Sequence, residues 1–356
     1  MKNIYLQIAE AQTVTSGLVL ATVTTSEGST PQKPGSSALF SDGVLIAGTV
    51  GGGLVENHVQ KFAGRCVQTR KSAYRTYNMD SDLIEGECPV CGGIISVLID
   101  ANPLAGMEVF KKMKESLDLG LPGVLITEVI PLGEDEVSIS RYWAAAGSMP
   151  LLPDAVQSSI QDEVADLLSS RKPSGYREMA IHDAGRSADI KFFLEPVFPL
   201  PRLVIAGAGH VGKALSHAGK LLDFEVIVID DREEFANPQN LPDADQIIPQ
   251  DITASMRAIR KDINTYIVIV TRGHSHDADA LQQCIRSDAG YIGMMGSKSK
   301  VSKVHDDFIR NGWATEEEWN RVYTPIGLPI GSTTVEEIAV SIAAQLVQAR
   351  SNNLKR

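Results

Sequence analysis

The second half of the chain alternates short apolar runs with segments of helical periodicity. The apolar runs predict strands at residues 203–206, 225–229, 246–248, 266–270 and 291–292. The residues at helical spacing are Val211, Leu215, Ala218 and Leu222 in one predicted helix, and Leu281 and Ile285 in another. A C-terminal helix is predicted to open at Thr334, which stands at capping-box spacing from Glu337. Because such alternation requires right-handed crossovers, this half is predicted to form a parallel sheet.

The first half mixes strand-like runs with glycine-rich joints and shows no regular strand–helix order. Strands are predicted at residues 18–24, 39–40, 44–47, 74–77, 94–99, 123–130, 137–143 and 189–196. Helices are predicted from residue 54 to a stop at Gly64, at residues 103–119 and at residues 158–169. Asp42 followed by Gly43 predicts a hairpin turn between two of the strands.

A proline-rich segment at residues 195–201 separates the two patterns. Proline is rejected by helix interiors and by central strands, so Pro196, Pro199 and Pro201 mark a domain boundary. The 356 residues also fit two domains. We predict an α/β protein in which an N-terminal α+β domain (residues 1–198) precedes a Rossmann-like, doubly wound parallel-sheet domain (residues 199–356) that ends in the C-terminal helix.

Charge and composition exclude several functional classes. The chain has 33 Lys and Arg against 44 Asp and Glu, a net charge of −11, which argues against a nucleic-acid-binding surface. There is no run of about 18 apolar residues that would cross a membrane, and the N-terminus lacks the features of a signal peptide. Four cysteines in 356 residues exclude a disulfide-stapled scaffold. A cytoplasmic protein is therefore expected.

A glycine-rich turn opens the first helix of the second half. Gly207, Gly209 and Gly212 form a G-x-G-x-x-G that follows a strand, and Asp230 ends the next strand. Glycines let the backbone approach a pyrophosphate, the helix N-terminus favours negative charge, and a carboxylate holds ribose hydroxyls. We favour a nucleotide or another phosphate ligand here; the alternative is a tight turn in a Rossmann-like fold with nothing bound.

A second polar segment follows the strand that ends at Val270. In an open parallel sheet the loops at the carboxyl ends of the strands meet, so residues 207–212, Asp230, His274 and residues 293–297 are expected to face one opening. His274, His276 and Asp277 are candidates for binding a metal or relaying a proton. The alternative, favoured on residue chemistry alone, is a polar loop in which Asp277 caps the next helix.

The cysteines of the first half offer a weaker signal. Cys88 and Cys91 form a C-x-x-C, but a structural zinc site needs a second pair, and Cys66 and Cys284 are isolated. A redox pair lacks the expected βαβ start. Two interpretations of Cys91 stay open. It is either a reactive thiolate beside Gly92, which permits close approach of a ligand, or a small residue in a tight turn.

Three consecutive glycines precede the first long helix. Gly51, Gly52 and Gly53 make a second plausible anion cradle. Glu56 stands in the first turn of that helix, where the helix dipole alone favours a carboxylate, and charge considerations favour this simple role.

Taken in order, the motifs resemble the xanthine dehydrogenase accessory factor family (XdhC/CoxI type) over nearly the whole chain. The matching stretches are residues 27–31, 48–56, 91–93, 207–212, 271–274 with Asp277, 291–298, and 325–328 with Ile330 and Gly331. Two positions depart from the family pattern: Gln32 stands where many relatives have Arg, and Leu54 where Cys is frequent.

The resemblance implies a non-catalytic chaperone for molybdenum cofactor. Such proteins bind molybdopterin, in its mononucleotide or a dinucleotide form, protect it during sulfuration and insert it into xanthine dehydrogenase or a related molybdenum hydroxylase. A cysteine desulfurase is a further implied partner, and a homodimer is the default assembly. Carried over by position, Cys91 becomes a candidate metal contact, and the candidate cofactor-binding residues are Gly28, Ser29, Gly51, Gly52, Gly53, Glu56, Cys91, Gly92, Gly207, Gly209, His210, Gly212, Asp230, His274, Asp277, Gly296 and Ser297.

Two other functions stay open from the sequence. An NAD(P)-dependent oxidoreductase would use residues 207–212 and Asp230 for the cofactor and His274 as acid or base. A nucleotide-sensing module would bind nucleotide and ignore molybdopterin. The chain shows no iron–sulfur cysteine spacing and no flavin segment of the kind that xanthine dehydrogenase catalysis needs.

Overall fold

A computed structural model describes residues 3–10, 17–79, 93–170, 175–182 and 189–353. The chain divides into two units, Met1–Pro199 and Leu200–Arg356, and the division falls in the proline-rich segment.

The first unit is built on an antiparallel sheet. In the described residues its strands are β1 (Leu18–Gly28), β2 (Ser37–Ser41), β3 (Val44–Gly48), β4 (Ser72–Asn78), β5 (Gly93–Asp100), β6 (Gly123–Pro131), β7 (Glu136–Ala145), β8 (Arg177–Ile181) and β9 (Ile190–Val197). They are arranged in the order β3-β2-β1-β5-β4-β7-β6-β9-β8. The hairpin predicted at Asp42 and Gly43 joins β2 to β3.

Helices cover both faces of this sheet. They are α1 (Ile4–Glu10), α2 (Gly53–Thr69), α3 (Met107–Asp118), which follows a 3-10 turn at Pro103–Gly106, and α4 (Asp154–Ser170). Successive side chains of a strand point to opposite faces. Accordingly, Val19 and Ala21 of β1 pack with α2, whereas Leu18 and Leu20 pack with α1 and α3.

One expectation for the first unit was wrong. Helix α2 continues past Gly64 to Thr69, because one glycine inside a long helix costs only about 1 kcal/mol; the helix ends at Arg70, whose backbone is left-handed with φ 55°. The strand predicted at residues 189–196 is β9, which runs through Pro196. Its pairing with β8 ends at Leu194, so at Pro196 the strand has β6 on one side only and the missing N–H is tolerated.

A buried polar cluster lies inside the first unit. Arg141 and Asp100 form an ion pair of 2.5 Å (Nη1 to Oδ2), and both side chains are at most 5% exposed. Nearby, Tyr5 donates a hydrogen bond of 2.7 Å to Glu195 Oε2. Burial raises the pKa of Glu195 to about 7, against the opposing effects of the Tyr5 hydrogen bond and the Arg141 charge. Tyr5, Arg141 and Glu195 line a small cavity together with Tyr176.

The second unit is a parallel sheet with helices on both faces, as predicted. Its described strands are β10 (Arg202–Ala206), β11 (Glu225–Ile229), β12 (Gln246–Ile248), β13 (Thr265–Ile269), β14 (Tyr291–Met294) and β15 (Val322–Tyr323), in the order β12-β11-β10-β13-β14-β15. Its helices are α5 (His210–Leu221), α6 (Ile252–Ala258), α7 (His274–Gln282), α8 (Lys298–Arg310), α9 (Glu316–Trp319) and α10 (Val335–Asn353). The strand order reverses between β10 and β13, which makes this the switch point.

The described helices include no candidate for a membrane-spanning segment. Among the helices in the described parts of the chain, none combines the length and the apolar character that crossing a bilayer requires.

Candidate functional site

The triple-glycine turn of the first unit leaves the start of α2 open. Gly51, Gly52 and Gly53 have φ values of 139°, 64° and 53°, a backbone that favours glycine. Gly52 is the N-cap of α2, and no side chain caps the helix there. A Cβ placed on Gly52 or Gly53 would meet no atom within 4 Å. The free amides of the first helical turn therefore lie beside open space, the arrangement that binds anions.

Thr49 and Glu56 hold this turn in place. The Thr49 hydroxyl donates a hydrogen bond of 2.6 Å to Glu56 Oε2 and accepts one of 3.1 Å from Gly51 N. Glu56 stands in the first turn of α2. Its described contact is thus structural: it fixes the shape of the turn that surrounds the open space.

The loop after β1 connects the triple-glycine turn to the start of β5. A Cβ on Gly51 would lie 2.8 Å from Pro31 Cγ. Gly93 pairs with Gly28 in the sheet, and a Cβ on Gly93 would lie 3.3 Å from Ser29 N. At one end of the sheet the loop after β1 therefore contacts both the triple-glycine turn and Gly93, which are far apart in sequence.

Cys88, Cys91 and Gly92 lie outside the described residues, and the metal role of Cys91 stays a prediction. The structure fixes only that residue 92 precedes Gly93, the first residue of β5. Within the described ranges there is no cluster of three or more His, Cys, Asp or Glu side chains that could hold a metal. Burial raises the pKa of the Cys66 thiol to about 11 and that of Cys284 to about 12, so neither is a reactive thiolate at neutral pH.

In the glycine turn of the second unit, close contacts require glycine at positions 207 and 212 but not at position 209. Gly207 has φ 118°, and a Cβ there would lie 2.5 Å from Val270 O in the neighbouring loop. A Cβ on Gly212 would overlap the Gly207 carbonyl. By contrast, Gly209 has no atom within 4 Å of its Cβ position and is the N-cap of α5, without a side-chain cap. His210, the first residue of α5, is exposed.

Asp230 is fully engaged by protein groups. It is 1% exposed and accepts a 2.7 Å hydrogen bond from Ala208 N in the glycine turn. Arg232 donates three more: one of 3.1 Å from its backbone N–H, and two of 2.8 Å from its guanidinium, one to each carboxylate oxygen. Burial acts to raise the pKa of Asp230, but the hydrogen bonds from Arg232 and Ala208 outweigh it and hold the pKa below its usual range. A carboxylate offers about four acceptor positions, and here all are filled.

An ion pair crosses the end of β10. Arg272, in the loop after β13, contacts Asp231, in the loop after β11, at 2.8 Å. Strands β11 and β13 flank β10 on its two sides. The pair therefore bridges the point where the glycine turn leaves the sheet.

Asp277 fixes the loop after β13. It is 1% exposed and accepts hydrogen bonds from Thr271 N at 3.1 Å and from Thr271 Oγ1 at 2.6 Å. It also pairs with Lys300 of α8. The N-cap of α7 is Gly273, so Asp277 does not cap that helix by its side chain.

The remaining predicted residues of the second unit lie at the same edge of the sheet, where the parallel strands have their carboxyl ends. His274 opens α7. Ser297 caps α8 by accepting a 3.3 Å hydrogen bond from Lys300 N, and Gly296 directly precedes it. Gly293, expected in this loop, lies instead inside β14.

The predicted site residues did not include Arg232, Arg272 or Lys300, although the matching stretch 271–274 contains Arg272. Each pairs with an acidic residue of this edge, and Arg232 stands two residues after Asp230, the one local signal that was available.

Comparison with protein families identifies the chain. Residues 203–346 match the model of the XdhC Rossmann domain, and residues 15–78 match the model of the XdhC and CoxI family. Together the two matches cover more than half of the chain. The chain belongs to the XdhC family. The resemblance drawn from the motifs is confirmed, although the stretch with Cys91 lies outside both matched ranges.

Relatives extend the comparison to the whole length. The chain is 28% identical, over 93% of both proteins, to a Bacillus subtilis protein named as a probable subunit of xanthine dehydrogenase. It is 31% identical over 153 residues to the uncharacterized protein YqeB of Escherichia coli, which covers 43% of this XdhC-family chain and 28% of that protein. A crystal structure described as a xanthine dehydrogenase from Bacillus halodurans superposes with a TM-score of 0.72 at 23% identity, covering 98% of this chain and 95% of the other, and confirms the fold.

Proposed function

We propose that this XdhC-family protein is an accessory factor that binds molybdenum cofactor as cargo for a xanthine dehydrogenase-type molybdenum hydroxylase. The observation that carries the proposal is that the loop after β1 contacts both the triple-glycine turn at the open start of α2 and Gly93, the first residue of β5. Family membership supports the accessory role, and the name of the Bacillus subtilis relative supports the client class.

The first unit suits the phosphate of a molybdopterin. The uncapped amides at Gly52 and Gly53 offer hydrogen-bond donors and the positive end of the α2 dipole. The open space above both glycines leaves room that a side chain would fill. Ser29 lies beside Gly93 at the start of β5, and Cys91, placed by sequence just before β5, supplies the thiolate for the molybdenum end. In this proposal the chain holds and shields the cofactor and performs no redox turnover.

The setting of this function follows from the same proposal. The client is a molybdenum hydroxylase, a cysteine desulfurase supplies the sulfur, and the exchange takes place in the cytoplasm between the client and a homodimer of this chain.

The second unit carries a nucleotide role in this proposal. The specific observation is the open Gly209 position at the switch point of a parallel sheet. The ligand in this proposal is NAD(P), bound as a free dinucleotide. Hydride transfer from NADPH to a substrate would instead support the oxidoreductase alternative.

Anaerobic gel filtration with molybdopterin released from a molybdenum enzyme tests the cargo role. We expect the wild-type chain to retain the pterin, and G53D to lose most of it, because a carboxylate in the open space repels phosphate. G53N is the matched control, since Asn has the same shape and backbone strain without the charge. Equal retention by G53D and G53N would remove the phosphate from this site.

Cys91 is tested in the same assay. C91S should lower retention more than C284S, because Cys284 is buried in the second unit. Circular dichroism of both variants checks that they fold. If wild type retains no pterin, the cargo role is refuted; if both variants behave alike, Cys91 is removed from the site.

A further inference from the structure

The acidic residue that ends β11 is not available to a ribose. In the Rossmann pattern this carboxylate accepts hydrogen bonds from the ribose hydroxyls of an unphosphorylated dinucleotide. In this chain Asp230 already accepts from Ala208 N and, through both of its oxygens, from Arg232. A free diol would have to displace a buried, bidentate, charge-assisted pair before it gained any acceptor.

Arg232 has donors left over. Two of its five guanidinium N–H groups bond Asp230, and the other three have no partner among the described residues. The guanidinium lies 4.0 Å from the centre of the Phe235 ring, which fixes its plane, and the side chain stays 21% exposed. Asp230 first, and then Asp231 and Glu234, raise the pKa of Arg232, so its charge is permanent.

A second cation stands across β10 from Arg232. Arg272 reaches from the loop after β13 to Asp231, and this pair is 46% and 35% exposed. Exposed ion pairs contribute little to stability, so Arg272 can exchange Asp231 for another anion at little cost. Two arginines thus lie at the ribose end of the opening, and the carboxylate that would select a diol is neutralised.

We propose that Arg232 makes the nucleotide opening of the second unit selective for a ribose that carries a phosphate over one with a free diol. The ligand class is a 2′-phosphorylated adenine nucleotide such as NADPH. This selectivity rests on the nucleotide role proposed above for the second unit, and it is independent of the cargo role of the first.

Titration of the full chain with NADPH and NADH, followed by nicotinamide fluorescence, tests the selectivity. We expect NADPH to bind at least about tenfold more tightly than NADH. In R232Q the freed Asp230 carboxylate accepts the ribose diol and repels the 2′-phosphate, so the ratio falls to about one or reverses. The matched control is R286Q, which removes an arginine paired with Glu318 beyond the far end of α7 and should keep the wild-type ratio.

A second measurement needs no variant, in case R232Q does not fold. In competition against bound NADPH, 2′,5′-ADP should displace it at a concentration at least about tenfold lower than 5′-ADP. Equal competition by the two, or equal affinity for NADPH and NADH, overturns the selectivity while leaving the nucleotide role standing. Binding of neither dinucleotide refutes the nucleotide role itself, and retained molybdopterin would then show that the cargo role survives.

Discussion

Protonation of Glu195 should make the stability of the first unit depend on pH. The carboxyl is buried, and its pKa is raised from an ordinary value of 4.5 to about 7. The folded state therefore binds this proton more tightly than the unfolded state does. The resulting stability is fully present below the unfolded pKa, and it is lost as pH rises through the folded pKa.

The size of the effect follows from the shift. Each unit of pKa difference corresponds to about 1.4 kcal/mol. Between about pH 5 and about pH 8, ionisation of Glu195 should remove about 2–3 kcal/mol of unfolding free energy. E195Q stays neutral throughout, so its stability relative to wild type should rise by that amount over the same interval.

Urea denaturation followed by tryptophan fluorescence measures this difference. Trp143 is the tryptophan of the first unit, whereas Trp313 and Trp319 belong to the second. A W313F/W319F background therefore reports on the first unit. At each pH, the stability of E195Q is compared with that of the same protein carrying Glu195. The difference removes the contribution of all other titrating groups.

A substitution at Tyr5 tests whether the pKa of Glu195 changes in the expected direction. Its hydrogen bond favours the ionised form of Glu195 and lowers the pKa. Y5F should therefore steepen the loss of stability with pH, and Y5F/E195Q should show none of this extra slope. A stability difference between wild type and E195Q that stays flat from acid to alkaline pH would refute the reasoning.

Two further substitutions test the packing, each by urea denaturation. G212A places a Cβ against the Gly207 carbonyl and should cost about 3 kcal/mol, whereas G209A meets open space and should cost less than about 1 kcal/mol. Equal losses would show that the turn relaxes around the added methyl group. D100N leaves the Arg141 charge buried without its partner and should cost about 3–5 kcal/mol; a loss below about 1 kcal/mol would mean that water reaches the guanidinium.

The sequence revealed most of the second unit because its central strands are buried on both faces. Such strands read as continuous apolar runs, and each was predicted within one or two residues. The elements that were missed are short or mostly polar: α6, α9 and β15 are brief, and only Val304 and Phe308 of α8 are buried. Periodicity has too few apolar positions there to act on.

The candidate site was visible only in part. The glycine turns were predicted because a glycine in the sequence indicates a local requirement of the backbone, as at Gly52 and Gly212. The pairing of Arg232 with Asp230 depends on which rotamer packs on Phe235, and the pairing of Lys300 with Asp277 joins residues on two helices. Contacts of this kind follow from tertiary packing and leave little trace in residue order.

The Asp230 carboxylate links Arg232 to a backbone amide whose NMR signal can report ligand binding. It holds the Ala208 amide with one oxygen and Arg232 with both, so a molecule that pulls on Arg232 also alters the environment of that amide proton. The nitrogen and proton resonances of Ala208 should therefore shift when the ribose end is filled, even though Ala208 itself is buried away from solvent. One backbone resonance would then report occupancy of the ribose end of the opening.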